Sequence, residues 1–386
     1  METRTRAGRA ATSRYTPALD GLRAMCIAAV VLYHLSPAGW IRGGFLGVSV
    51  FFTLSGFLIT RNLVDELTTT GSVDAVRFWS RRVQRLAPAA LVAVAAVIAV
   101  TALRERGWSR VGLARDATAT IWSSANWNMI DVGPENVLRL VGPLAPMWSL
   151  AVEEQFYLGI AILFLVVRGR HALRNLAVVL AFICIASIVT SIVLAATPGG
   201  YKPRLEFGTD ARAAELAIGA LLALAAHHWP ALLTRRAGVT QAVGFASLVT
   251  LILLFVRPTN DHSWLLSGGF VVVSVLVTLL IVAMLNDGEG TLATAAAWRP
   301  VVALGRMSYS LYLVHWPIIL LTHDPFLGLS GVSAKVVRLV LCLVCAWVLH
   351  VVVEQPARRP RLGAARIIGL WLAASVALSA LAFILV

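Results

Sequence analysis

The chain has 386 residues, of which 59% are hydrophobic and only 13% charged, with a mean hydropathy of +0.81. A soluble domain carries about 25% charged residues, so this composition excludes one and assigns most of the chain to lipid. The net charge of +14 does not point to nucleic acid, because the excess Arg falls in short loops between apolar runs, where it sets topology.

The chain opens on a basic arm, residues 1–17, in which Arg4, Arg6, Arg9 and Arg14 direct the amino terminus to the cytoplasm. A helix needs roughly 20 residues to cross the hydrocarbon layer. Apolar runs predict spans at 18–38, 44–63, 86–104, 147–167, 175–196, 212–228, 238–256, 266–285, 303–321, 336–353 and 366–386. The expected fold is all-α: a polytopic transmembrane bundle of ten core spans in a membrane domain over 18–356, then a basic loop and one additional span over 357–386. The basic loops, Arg61 to Arg85, Arg168 to Arg174, His227 to Arg236 and Arg358 to Arg366, then all fall inside, and the carboxyl terminus falls outside the cell membrane.

The segment Val111 to Ile130 tests that scheme. It is moderately apolar but holds Arg115, Asp116, Asn126 and Asn128, and as a full span it would invert every later loop. It is therefore read as a re-entrant or interfacial helix on the outer side, with Arg104, Arg106 and Arg110 as a mild exception to the charge rule. Cys26, Cys184, Cys342 and Cys345 each lie inside an apolar run, so neither disulfides nor a metal site is expected.

Titratable side chains inside a span are expensive and mark function. Here they are Asp20, Arg23 and His34 on the first span, Glu153 and Glu154 on the fourth, Arg212 and Glu215 on the sixth, and His315 on the ninth. Arg23 and His34 are eleven residues apart, about 16 Å along a helix axis. Arg23 is thus expected near the cytoplasmic face and His34 in the outer half. Glu153, Glu154 and His315 are expected at a depth similar to that of His34. An imidazole facing a carboxylate is a common general base, because the carboxylate fixes the tautomer. His34 alone reads as a packing histidine, and Glu153 or Glu154 as a structural partner of Arg212; spacing alone leaves an enzyme and a proton-coupled transporter equally open.

Five local strings resolve that choice. TPALDGLRAMCIAAVVLYH carries Arg23 and His34; GGFLGVSVFFTLSGFLIT carries Gly47, Phe51, Ser55, Gly56 and Phe57; RFWSRRVQRLAP carries Arg82, Arg85 and Pro88. PMWSLAVEEQFY carries Trp148, Ser149, Glu153, Glu154, Gln155 and Tyr157, and GRMSYSLYLVHWP carries Ser308, Tyr309, Tyr312, His315 and Pro317. In this order they resemble the acyltransferase-3 family of integral membrane acyltransferases, whose opening signature is a basic residue, ten residues and a histidine.

The resemblance implies transfer of an acyl group, often acetyl, from cytoplasmic acyl-CoA to a hydroxyl of a carbohydrate, glycan or glycoside, with membrane lipid as surroundings and no metal. It implies His34 as the catalytic residue, as general base or as transient acyl carrier. Arg82 and Arg85, with Arg23, are implied to bind the coenzyme's phosphates, for which guanidinium pairs are suited. Glu153 or Glu154 would orient the histidine or line the acceptor path. Tyr309 and His315 would donate to the developing oxyanion, and Asp210, Arg212 and Glu215 would bind the acceptor at the outer mouth. In relatives with an extracytoplasmic hydrolase-like domain, an eleventh span leads to it; the expectation is a shortened chain or a separate hydrolase-like partner. The competing reading is a transporter or acyl-group translocator that uses His34 and Glu153/Glu154 as a relay, disfavoured because it needs no cytoplasmic coenzyme site. A non-catalytic anchor has no use for so many buried ionisable groups.

Overall fold

A computed structural model describes residues 15–36, 39–103, 112–131, 142–198, 203–233, 237–256, 264–286, 290–322, 330–359 and 362–386. The basic arm through Arg14, together with Arg104, Arg106 and Arg110, lies outside them. Helices and turns account for the described residues.

Helix α1, Pro17–Leu35, opens with proline, whose missing N–H has no intrahelical partner at that position, and Asp20 in the first turn complements the positive end of the helix dipole. A 3-10 turn leads into α2, Gly47–Thr70, which stops at Gly71 with φ at 80°, a left-handed conformation that glycine adopts without a Cβ clash. Helix α3, Ala75–Leu103, starts well before the apolar run at residue 86. Arg82 and Arg85 therefore sit on a span's own first turns and not in a preceding loop. No Gly or Pro interrupts the stretch from Ala75 to Pro88, so nothing stops the helix from extending toward its basic end.

Helices α4, Leu113–Ile121, and α5, Ala125–Ile130, meet at a turn whose Ser123 has φ at 55°. At 1.5 Å per residue neither approaches the roughly 30 Å of a hydrocarbon layer. The polar segment thus folds back on itself, with α5 packed on the next span.

The chain continues through α6, Met147–Val166, α7, Ala172–Ala196, the short α8, Pro203–Phe207, and α9, Thr209–His228. Then come α10, Ala237–Val256, α11, Phe270–Asn286, α12, Thr291–Ala296, α13, Arg299–Arg306, and α14, Ser308–Leu321. The last two are α15, Gly331–Ala357, which includes a π turn over His350–Glu354, and α16, Ala364–Leu385.

Among the described residues, eight helices are long and apolar enough to cross a membrane: α1, α2, α3, α6, α7, α10, α15 and α16. The other three expected spans coincide with α11 and α14, which are shorter apolar helices, and with α9, whose Asp210, Arg212, Glu215 and terminal histidines lower its hydropathy. On α7, α10 and α16 large apolar side chains point outward, such as Phe182, Leu253 and Ile384. Faces of that kind are stable against lipid and not against water. The molecule is a multi-pass membrane protein.

Small residues set where the helices meet. A Cβ on Gly56 would lie 2.0 Å from the Leu216 carbonyl oxygen, and one on Gly219 would lie 1.9 Å from that of Thr53, so α2 and α9 touch backbone to backbone. Helix α1 is enclosed by α2, α12, α13 and α14, with Gly305 of α13 against the Asp20 backbone. Arg23 and His34, both partly buried, lie on this helix, His34 in its last turn.

Candidate active site

Two groups of polar side chains lie along α1, at opposite ends. At the Arg23 end, a small cavity of about 60 Å³ is lined by Arg23 of α1, Ser55 and Asn62 of α2, Arg82 and Arg85 of α3, Glu153, Glu154 and Tyr157 of α6, and Tyr309 of α14. Helical spacing explains the convergence on α3 and α6: Arg82 and Arg85 are three apart, Glu153 and Tyr157 four, and such pairs share a face. The Arg82 guanidinium lies over the Tyr157 ring, 3.9 Å from its centre, and the Tyr157 hydroxyl donates to Glu153 Oε2 at 2.7 Å. Ser123, at the tip of the α4–α5 turn, donates to Glu154. Tyr309 donates to the Leu86 carbonyl at 2.8 Å, beside Pro88. The Nε atoms of Arg23 and Arg82 are buried with no hydrogen-bond acceptor among the described residues. A buried charged donor without an acceptor is costly, so these two nitrogens are open to a further acceptor, although Glu153, Glu154 and Asp20 already offset part of the pocket's charge.

A second cavity, about 50 Å³, shares Arg23, Ser55, Glu153 and Tyr309 with the first and extends to Ser149, Ser308 and Tyr312. Ser149 and Tyr312 are linked hydroxyl to hydroxyl at 2.6 Å, and Tyr312 donates to the Pro146 carbonyl at 2.8 Å. The Tyr312 ring then stands 5.4 Å from His315, and His315 stands 5.1 Å from His34, centre to centre. A file of side chains, Ser149, Tyr312 and His315, thus runs from the second cavity toward His34, which lines neither cavity.

His34 Nδ1 is 2.9 Å from the Val30 carbonyl, and His315 Nδ1 is 2.7 Å from that of Tyr312. A carbonyl accepts only, so each Nδ1 carries the proton and each Nε2 of the neutral rings is a bare lone pair. Nε2 of His315 is buried without a partner among the described residues. Trp316 packs against His34 at 5.0 Å and donates from its indole to the Gly142 carbonyl at 2.8 Å, which holds the ring in place.

Several expected placements change. Glu153 and Glu154 line the arginine pocket, and among the described residues neither bonds to His34 or His315; backbone carbonyls, not carboxylates, fix the imidazole tautomers. Glu153 lies six residues into α6, about 9 Å from its start, which brings it level with Arg23 and not with the histidines. Tyr309 lines the arginine pocket as well, with its hydroxyl on Leu86, whereas His315 stands beside His34. Arg212 and Glu215 face no mouth: they form an enclosed pair, 2.5 Å apart and only 3% and 1% exposed. Arg212 also donates to the Glu206 carbonyl and Ser49, and stacks on Phe270 at 3.8 Å. Asp210 pairs with Arg204 at 2.5 Å in a more exposed position. Trp316 and the Ser149–Tyr312 link were not singled out from sequence as site residues, although both lie within the motif strings. A larger cavity, about 1200 Å³, lies elsewhere, beside Leu67, Phe164, Arg168, Arg174 and Trp229, and contains none of these side chains.

A helical membrane bundle that encloses three guanidinium groups, two of them with an unbonded Nε, and two imidazoles with bare nitrogens has the parts of a centre for group transfer. The chain belongs to the acyltransferase domain family, whose family model matches residues 16–351. It is similar to the O-acetyltransferase OatA of Staphylococcus aureus (strain NCTC 8325 / PS 47), with 33% identity over 354 residues, covering 90% of this chain and 58% of that protein. It is also 32% identical over 359 residues to the putative O-acetyltransferase SACOL0978 of Staphylococcus aureus (strain COL), with the same coverage. The chain thus spans little more than half the length of these relatives. No solved structure matches it.

Proposed function

We propose that the chain is a membrane-embedded O-acyltransferase that moves an acyl group, acetyl in the simplest case, from cytoplasmic acyl-CoA to a hydroxyl of a carbohydrate of the cell envelope. The observation that carries this reading is a pair of cavities sharing Arg23, one lined by Arg82 and Arg85 and the other by Ser149 and Tyr312, whose ring adjoins His315 and through it His34, in a chain of the acyltransferase domain family. Arg23, Arg82 and Arg85 bind the donor's phosphates; the cavity they line is small, so the long Arg82 and Arg85 side chains swing to admit them. The donor's flexible arm follows the file past Ser149 and Tyr312 and brings the thioester carbonyl to His34.

There Nε2 of His34 takes the proton of the acceptor hydroxyl as its oxygen attacks the carbonyl carbon. The C–S bond breaks, and the departing thiolate receives that proton from the imidazolium, so the ring ends as it began. We assign the oxyanion to Tyr312, whose ring lies 5.4 Å from that of His315 and whose hydroxyl turns from the Pro146 carbonyl to meet it.

Replacing both Arg82 and Arg85 with Ala is expected to raise the KM for acyl-CoA by at least about tenfold, since each charge-assisted bond to phosphate contributes roughly 1.5 to 3 kcal/mol. Lys at both positions recovers part of the loss, because an ammonium lacks the guanidinium fork. Unchanged donor affinity in the double Ala variant would reduce both residues to topology signals.

The same reading takes α9, α11 and α14 as spans alongside the eight long helices, giving eleven, with the amino terminus cytoplasmic and the carboxyl terminus extracytoplasmic. Reporter domains fused to the two ends are expected on opposite faces. Both reporters on one face would remove the eleven-span count.

A further inference from the structure

A second polar cluster, at the end of α15 where it packs on α3, takes no part in the steps above. Helix α15 widens into its π turn at His350–Glu354, and single π turns of this kind recur at functional sites. This turn and the residues after it pack on α3, the helix that carries Arg82 and Arg85. The Glu354 side chain is fully buried, and both its oxygens are in use. Oε2 accepts from Ser310 Oγ at 2.6 Å and from His350 Nδ1 at 2.8 Å, while Oε1 accepts from Arg358. A carboxylate held by three donors from two helices is a fixed point.

Arg358 is different, because its side chain is 38% exposed and a single nitrogen bonds to Glu354. Most of the five N–H groups of a guanidinium remain available. Ser310, which bonds to Glu354, follows directly on Tyr309 of the Arg82–Arg85 pocket, and the charges of Arg358, Arg23 and Arg82 all act on Arg85. Like charges in a partly desolvated pocket repel one another until an anion arrives. A donor bearing a diphosphate and a further phosphate supplies enough negative charge for more than the Arg82–Arg85 pair.

We propose that Arg358 is an additional ligand for the donor's phosphates and that Glu354 is a positioning residue that aims it at the Arg82–Arg85 pocket. This rests on the reading of that pocket as the phosphate seat. The bland alternative makes Arg358 an ordinary loop charge and Glu354 a pin between α14 and α15.

The test compares acetyl-CoA with acetyl-pantetheine, which carries the same thioester and no phosphate, using the full chain in lipid nanodiscs. Arg358→Gln is expected to raise the KM for acetyl-CoA by at least about fivefold, about 1 kcal/mol, with kcat kept and the KM for acetyl-pantetheine unmoved. Arg358→Lys should recover part of it. Glu354→Gln should shift the acetyl-CoA KM in the same direction, and the double variant should be no worse than Arg358→Gln alone. An unchanged acetyl-CoA KM in Arg358→Gln, or equal losses for both donors, overturns the proposal. Should Glu354→Gln fail to fold, the Arg358 variants decide the matter. If wild type uses the two donors equally well, or the Arg82/Arg85 double Ala variant keeps its affinity, the phosphate-seat reading itself has failed.

Discussion

Replacing His34 with Gln is expected to lower acyl transfer by at least about a hundredfold, the lower end of what a positioned base supplies, while the fold persists. Gln has a similar reach, and its amide can donate to the Val30 carbonyl as Nδ1 of His34 does. Its contacts with His315 and Trp316 would also be largely kept. What it cannot supply is a lone pair that takes a proton near neutral pH. Ala at the same position should be equally inactive, with a small added cost from the cavity it leaves. Chromatographic behaviour in detergent and the unfolding temperature check the fold, and single-turnover transfer from labelled acetyl-CoA checks the chemistry. Retention of more than about a tenth of the wild-type rate by His34→Gln would make His34 a packing residue and shift the role of base to Nε2 of His315.

The largest effect on stability is expected at Glu215. Its carboxylate and the Arg212 guanidinium are 2.5 Å apart and almost wholly enclosed, so Glu215→Ala strands a buried charge. Breaking such a pair from one side costs about 3 to 5 kcal/mol, whereas replacing both members with apolar residues of similar size is often neutral. Glu215→Ala is therefore expected to lower the unfolding temperature sharply, and Arg212→Met with Glu215→Leu to restore most of it. A single variant as stable as wild type that loses activity toward the acceptor would return Arg212 and Glu215 to an acceptor-binding role.

Much of the frame was legible because it follows from one-dimensional rules. Apolar runs place the first two spans on α1 and α2, and the polar run around Asp116 and Asn126 argues against a full span, where α4 and α5 are each too short to cross. Arg82 and Arg85 were readable as a pair by their spacing, and the Arg212–Glu215 spacing also fits a pair on one helix face. What sequence could not give is which faces meet across helices. His34 and His315 come from opposite ends of the membrane domain, and no periodicity relates them; only the packing of α14 on α1 brings the rings together. Glu153 was assigned to the histidines because depth was counted from span ends, and a helix that begins at Met147 carries it down to the level of Arg23. Apolar content alone starts the third span at residue 86, whereas backbone propensity extends α3 back through its basic turns to Ala75.

The central claim is that an acyl group enters at the arginine pocket on one face and leaves on an acceptor at the other. Inside-out membrane vesicles loaded with a hydroxyl-bearing saccharide test it most directly, with labelled acetyl-CoA supplied only to the exposed cytoplasmic face. Acetylated saccharide should accumulate inside vesicles that contain the wild-type chain and be absent with His34→Gln or with the Arg82/Arg85 double Ala variant. Acetylation that requires acetyl-CoA inside the vesicles, or that proceeds unchanged without Arg82 and Arg85, would contradict the account.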